Sequence, residues 1–152
     1  MGFFDQLKQK TQEMSSQLQH EAAKFKSKEF AKASMAICAM ISAADGTIDA
    51  SERQKTAALI MANPTLQMFD ATALRADFDH YCNALTADFD FGKIEAVQAL
   101  SKLKSKPDQA RAVIQIGIII GGADGNFDSD EKQVVREACF AVGINPAEFD
   151  LG

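Results

Sequence analysis

One eleven-residue pattern occurs twice in this chain, and it limits the possible folds more than any other feature. Ala-Asp-Gly-x-[Ile/Phe]-Asp-x-x-Glu-[Arg/Lys]-Gln runs from Ala44 to Gln54 and again from Ala123 to Gln133, at an offset of 79 residues without a gap. An apolar run precedes each copy and an amphipathic run follows it. Each copy therefore reads as helix, tight turn, helix. The duplication predicts two related helical pairs packed about a pseudo-twofold axis.

Within one copy, Gly46 permits the positive φ that reverses the chain in a few residues. Ile48 points inward and pins the turn. Asp45, Asp49 and Glu52 then place three carboxylates on the turn and the first helical turn beyond it. Asp124, Asp128 and Glu131 do the same in the second copy. The run matches an EF-hand calcium loop from its fifth position to its twelfth. The first half of such a loop is missing, because Ile41 and Ala43, then Ile120 and Gly122, stand where acids would be. Each loop alone is a poor site, whereas two loops facing each other would pool six carboxylates. The copies differ where Ser51 is replaced by Asp130, which makes the second loop the more acidic.

The same residues also satisfy a simpler role. Asp49-x-x-Glu52 and Asp128-x-x-Glu131 are capping boxes, and Asp-Gly is an ordinary turn. Capping does not call for an acid before the glycine, yet both copies have one. Two carboxylates ~6 Å apart repel by roughly 3 kcal/mol at an effective dielectric near 20. A cation relieves that repulsion, and so does a basic partner. With hard oxygen ligands only, Ca²⁺ is the first choice and Mg²⁺ and Mn²⁺ also suit.

The rest of the chain reads as helices. Residues 1–27 form an amphipathic arm with Phe3, Phe4, Leu7, Met14, Leu18 and Phe25 near heptad spacing. Its tip, with Lys8 and Lys10 beside it, has the composition of a segment that packs on the body or touches a membrane surface. Residues 28–62 hold the first repeat, 63–106 the middle helices and 107–152 the second repeat. Helices are expected over Lys28–Ala44, Asp49–Met61, Asp70–Leu85, Lys93–Leu103, Pro107–Gly122 and Asp128–Val142, with short turns at Pro64–Phe69 and after Asn145. Asp88-Phe-Asp-Phe-Gly92 reads as a two-turn loop or a frayed helix end. No segment alternates as a strand between hairpin turns. The expected fold is all-α, a single-domain bundle of about seven helices with two pseudo-symmetric acidic repeats.

Charge and cysteine usage narrow the function. The net charge of −5 argues against nucleic acid as a partner. Residues 1–32 hold six lysines against four acids, and the remainder ten Lys/Arg against 17 Asp/Glu, so the body is acidic and the arm mildly basic. Cys38, Cys82 and Cys139 are odd in number and widely spaced among apolar residues, as buried thiols of a reducing compartment are. His20 and His80 stand alone, so zinc and haem sites find no support. The start carries no basic, long apolar leader. The most apolar stretch, Ala112–Ala123, is too short to span a bilayer, which needs ~20 residues, and reads as a central core helix.

The sequence resembles the tellurite-resistance TerB family along essentially its whole length. The resemblance rests on both acidic motifs, the Gly2-Phe-Phe-Asp5 opening, Lys24-Phe-Lys26, Phe89-Asp-Phe-Gly-Lys93 and the Asn145-Pro-Ala-Glu-Phe-Asp-Leu151 ending. It implies a cytoplasmic helical protein with a metal-chelating acidic cluster, at Asp45, Asp49, Glu52, Asp124, Asp128 and Glu131 here. It also implies work at the inner membrane face with a TerC-like integral membrane protein, beside calcium-binding TerD-type proteins, in tellurite and stress resistance. Three functions follow: a cation-dependent scaffold or sensor, a metal-independent module whose acids dock a basic partner, and an enzyme acting on tellurite or another oxyanion. Without a thiol pair or cofactor motif, the enzyme has the least support, and a non-enzymatic protein is expected.

Overall fold

The computed structural model describes residues 27–123, 125 and 127–151. The N-terminal arm, with its Phe3, Phe4 and Leu7 tip, and Asp124 of the second motif lie outside the described residues. Six α-helices and two short 3₁₀ turns make up the described residues, with no strand among them. The helices are α1 (Lys28–Ser42), α2 (Ala50–Ala62), α3 (Ala71–Ala87), α4 (Phe89–Ser101), α5 (Pro107–Gly121) and α6 (Ser129–Val142). The chain is an all-α domain, as expected, and the first of the seven expected helices falls in the undescribed arm.

Helix α1 is the hub. Ser27 caps it by accepting a hydrogen bond from the Phe30 N–H at 3.2 Å. Twelve of its fifteen residues are buried, so its alanines and branched side chains face packed neighbours on every side. Its two inward serines return their hydroxyls to the helix, Ser34 to the Phe30 carbonyl and Ser42 to the Cys38 carbonyl. That removes the cost of burying an unpaired hydroxyl. Its broadest contacts are with α3, α5 and α4. Each fully buried Ile, Phe or Met side chain in this centre contributes roughly 1.5–3 kcal/mol.

Helix α5 is the second core helix, as its apolar run predicts. Pro107 opens it, and Val113, Ile114, Ile116 and Ile118 are buried. Gly117 lets α1 approach closely: a Cβ there would stand 2.6 Å from the Ile37 Cδ1. The helices that lead into the two acidic motifs are therefore held directly against each other.

The stretch Asp88–Gly92 is corrected by the structure. It is neither a loop nor a frayed end but the first turn of α4, which begins at Phe89 and ends at Ser101. Asp88 ends one helix and starts the next. Its N–H donates to the Ala84 carbonyl of α3, and its side chain accepts from the Phe91 N–H at 3.1 Å. Gly92 is needed because α4 crosses α3 there, with the Leu85 backbone nitrogen 2.5 Å from where a Cβ would be.

Helix α6 ends in a left-handed Gly143, φ 75°, with Ile144 N–H reaching back to the Cys139 carbonyl at 2.9 Å. This Schellman closure turns the chain into the last 3₁₀ turn, Pro146–Phe149. Leu151 is buried behind it and Phe149 packs partly against the core, as the ending predicts.

Candidate functional site

Both acidic motifs turn on a left-handed glycine closed by the same backbone bond. Gly46 takes φ 95° and Gly125 φ 78°, each with open space where a Cβ would be. The Gly46 N–H donates to the Ala43 carbonyl at 2.9 Å, and the Gly125 N–H to the equivalent Gly122 carbonyl at 3.0 Å. In the first turn the Asp45 carboxylate accepts from the Thr47 N–H and hydroxyl, at 3.1 and 3.2 Å. The residue after the turn packs inward in both copies: Phe127 is fully buried and Ile48 is partly buried against the core.

Each motif then caps its helix. Asp49 accepts from the Glu52 N–H at 2.7 Å, and Asp128 from the Glu131 N–H at 2.8 Å. Only the second copy completes the box, with the Glu131 carboxylate accepting from the Asp128 N–H at 3.1 Å. Glu52 makes no such return bond. Its carboxylate is left to the cleft rather than tied to the backbone.

That cleft joins the two motifs. It encloses about 170 Å³ and is lined by Asp45, Glu52, Asp128 and Glu131 together with Lys55 and the Ser42–Thr56 pair. Ser42 donates to the Thr56 hydroxyl at 2.9 Å across α1 and α2. Loss of hydration in the cleft raises the Glu52 carboxyl above its ordinary value although the residue as a whole is exposed, and Asp49, Asp45 and Asp128 raise it further while Lys55 opposes them. The Asp128 contribution comes from the other motif, so charge on the second acidic turn reaches Glu52 of the first through space.

Of the six acids singled out in the sequence, the structure thus brings four to one cleft. Asp49 stays at its capping post outside the lining, and Asp124 is not among the described residues. Among the described residues, no group of three His, Cys, Asp or Glu side chains is gathered tightly enough to hold a metal ion. Asp130, the extra acid of the second copy, lines a neighbouring cavity instead. Lys55, Ser42 and Thr56 were missed in the sequence. The signal available was the asymmetry between copies, since the 79-residue offset puts Val134, Gly121 and Val135 at the equivalent places.

A family model for the tellurite resistance protein TerB matches residues 31–151. The chain belongs to the TerB family. A curated TerB-family relative, the tellurium resistance protein TerB of Alcaligenes sp., is 26% identical over 118 residues, covering 78% of this chain and 97% of the relative. No solved structure matches the chain. In this TerB-family chain the three cysteines are free and buried. Burial pushes the Cys38 thiol far up, Cys82 to about 11 and Cys139 to about 12, so none is a ready thiolate at neutral pH. No helix among the described residues is long and apolar enough to cross a membrane.

Proposed function

We propose that the chain is a non-enzymatic accessory protein of tellurite and stress resistance whose paired turns bind a divalent cation. The observation that carries this is the shared cleft, in which Asp45 and Glu52 of one motif meet Asp128 and Glu131 of the other. Four carboxylates and one lysine in so small a volume leave excess negative charge, and a hard cation neutralises it. Glu52, free of the return cap, swings onto the ion with Asp45, and the second motif supplies Asp128, Glu131 and Asp124. The pseudo-twofold pairing implied by the repeated sequence is what makes two half-loops into one site. Ca²⁺ is the preferred ion, with Mg²⁺ and Mn²⁺ as competitors.

Bound cation stiffens the two turns and sets the surface offered to a partner. From the family, that partner is a TerC-like integral membrane protein at the cytoplasmic face, with TerD-type proteins beside it. The buried, high-pKa thiols support a role without thiol chemistry on tellurite.

A second function has its own observation. Asp49, Asp128 and Glu131 are already engaged in capping, which needs no metal. The acids that remain then form a docking face for a basic partner. Calorimetric titration with Ca²⁺, Mg²⁺ and Mn²⁺ separates the two. Saturable Ca²⁺ binding, abolished by Asp45→Asn with Asp128→Asn, establishes the cation site. No heat at millimolar ion refutes it and leaves the docking face.

A further inference from the structure

A second cavity lies at the Asp45–Gly46 turn and shares Ala44 and Asp45 with the acidic cleft. It encloses about 310 Å³ between α4 and α6. Its floor is apolar, made by Met40 and Ala44 at the end of α1, Leu85 of α3, Phe89 of α4 and Val134 of α6. Its rim carries Asp45, Asp130 and Glu137 against one lysine, Lys93. That lysine is engaged: its ammonium sits 2.7 Å from the Glu137 Oε2, an atom shielded from solvent, in an ionic contact without hydrogen-bond alignment. Asp130, Gln133 and Glu137 recur at three- and four-residue spacing and so share one face of α6. Phe140 continues that line and is 69% exposed.

An apolar well with an acidic rim fits an apolar side chain flanked by basic ones. The chain carries such a segment itself. Phe3, Phe4 and Leu7 stand beside Lys8 and Lys10. The segment joins α1 at Ser27, and the cavity sits at the other end of α1, whose 15 residues rise roughly 22 Å. The residues between Phe3 and Ser27 cover about 36 Å even at the 1.5 Å rise of a helix. The reach is sufficient within one molecule.

We propose that the cavity between α4 and α6 is the docking site of this chain's own N-terminal segment. The Phe3, Phe4 and Leu7 group supplies the apolar anchor, and Lys8 and Lys10 face Asp45 and Asp130. Docking covers the Asp45 turn, and its release exposes it. Asp45 lines both this cavity and the acidic cleft, so docking and a bound cation would draw on the same carboxylate.

The test uses the full chain with ¹³C-methyl methionine and a nitroxide on Gln6→Cys, which labels selectively because the native thiols are buried. The Met40 methyl signal, assigned with Met40→Leu, is expected to lose most of its height and to recover when the nitroxide is reduced. Adding Phe3→Ala, Phe4→Ala and Leu7→Ala, or Asp130→Lys, restores it with the label still active. An unperturbed Met40 signal overturns the proposal. So does broadening that survives the triple alanine change. In a mixture of labelled and ¹³C-methyl copies, broadening at Met40 places the segment in a second copy and overturns docking within one chain.

Discussion

Glu52→Gln is expected to stabilise the cation-free protein, against the usual direction for a substitution at a helix start. The Glu52 side chain makes no return cap, so the change removes a charge without removing a backbone bond. Two like charges about 7 Å apart repel by about 0.6 kcal/mol in water and about 2.4 kcal/mol at an effective dielectric of 20. Glu52 is an exposed residue, so the lower limit governs and the expected gain is about 0.5–1 kcal/mol at low salt. The folded carboxyl lies above its ordinary value of 4.5. Its favourable contribution is therefore complete below 4.5 and lost as pH rises through the higher folded value. The variant's advantage appears at neutral pH and vanishes on acidification. Urea unfolding with chelator present measures it, alone and in an Asp128→Asn background, where asparagine still caps α6. The gain should shrink in that background, by less than half because Asp49 and Asp45 still act on Glu52, and fade in high salt. A neutral or destabilising Glu52→Gln at low salt, or an effect unchanged by Asp128→Asn, refutes the idea that the two turns repel across the cleft.

Three further outcomes are expected. Gly92→Ala drives a methyl into the Leu85 backbone and should cost about 1–3 kcal/mol, read as a lower urea midpoint with unchanged slope. Asp79 accepts from Arg53 and Arg75; burial raises its carboxyl, but the two arginines outweigh this and hold it below 3.8. Its contribution is present above 3.8 and lost as pH falls through the folded value. Asp79→Asn should thus cost about 0.5–1 kcal/mol at pH 7 and nothing once the wild-type carboxyl is protonated, as thermal melts at successive pH values will show. Cys38, Cys82 and Cys139 should react with a thiol reagent only at the rate of unfolding, and faster reaction of any of them contradicts its burial.

Most helices could be placed from local chemistry. Asp49, Asp70 and Asp128 announce starts because each side chain meets a backbone N–H a few residues on. Gly143 announces an end because only a left-handed residue closes α6 that way. The Asp88–Gly92 stretch defeated this logic, since aromatic and acidic residues alternate there and one aspartate serves two helices. The acids of the repeats were legible as a group, but their meeting in one cleft is tertiary. So are Lys55 and Thr56, which reach the cleft only because α2 lies against α1. The cavity between α4 and α6 joins residues some forty positions apart, and no local pattern marks it.

The walls of the acidic cleft differ in how firmly they are held. Ile41, Ile120 and Gly121 belong to the two core helices, α1 and α5. The opposite wall is α2, which brings Glu52, Lys55, Thr56 and Leu59 to the cleft but buries only Ala57 and Ile60. Amide protons of α1 should then exchange only through global unfolding, while those of α2 exchange through a cheaper local opening. Whatever bridges Glu52 to Asp128 ties the lightly buried α2 to the start of α6. It should slow exchange in α2, and it should also slow α1, whose amides exchange only through the global unfolding that the bound native state resists.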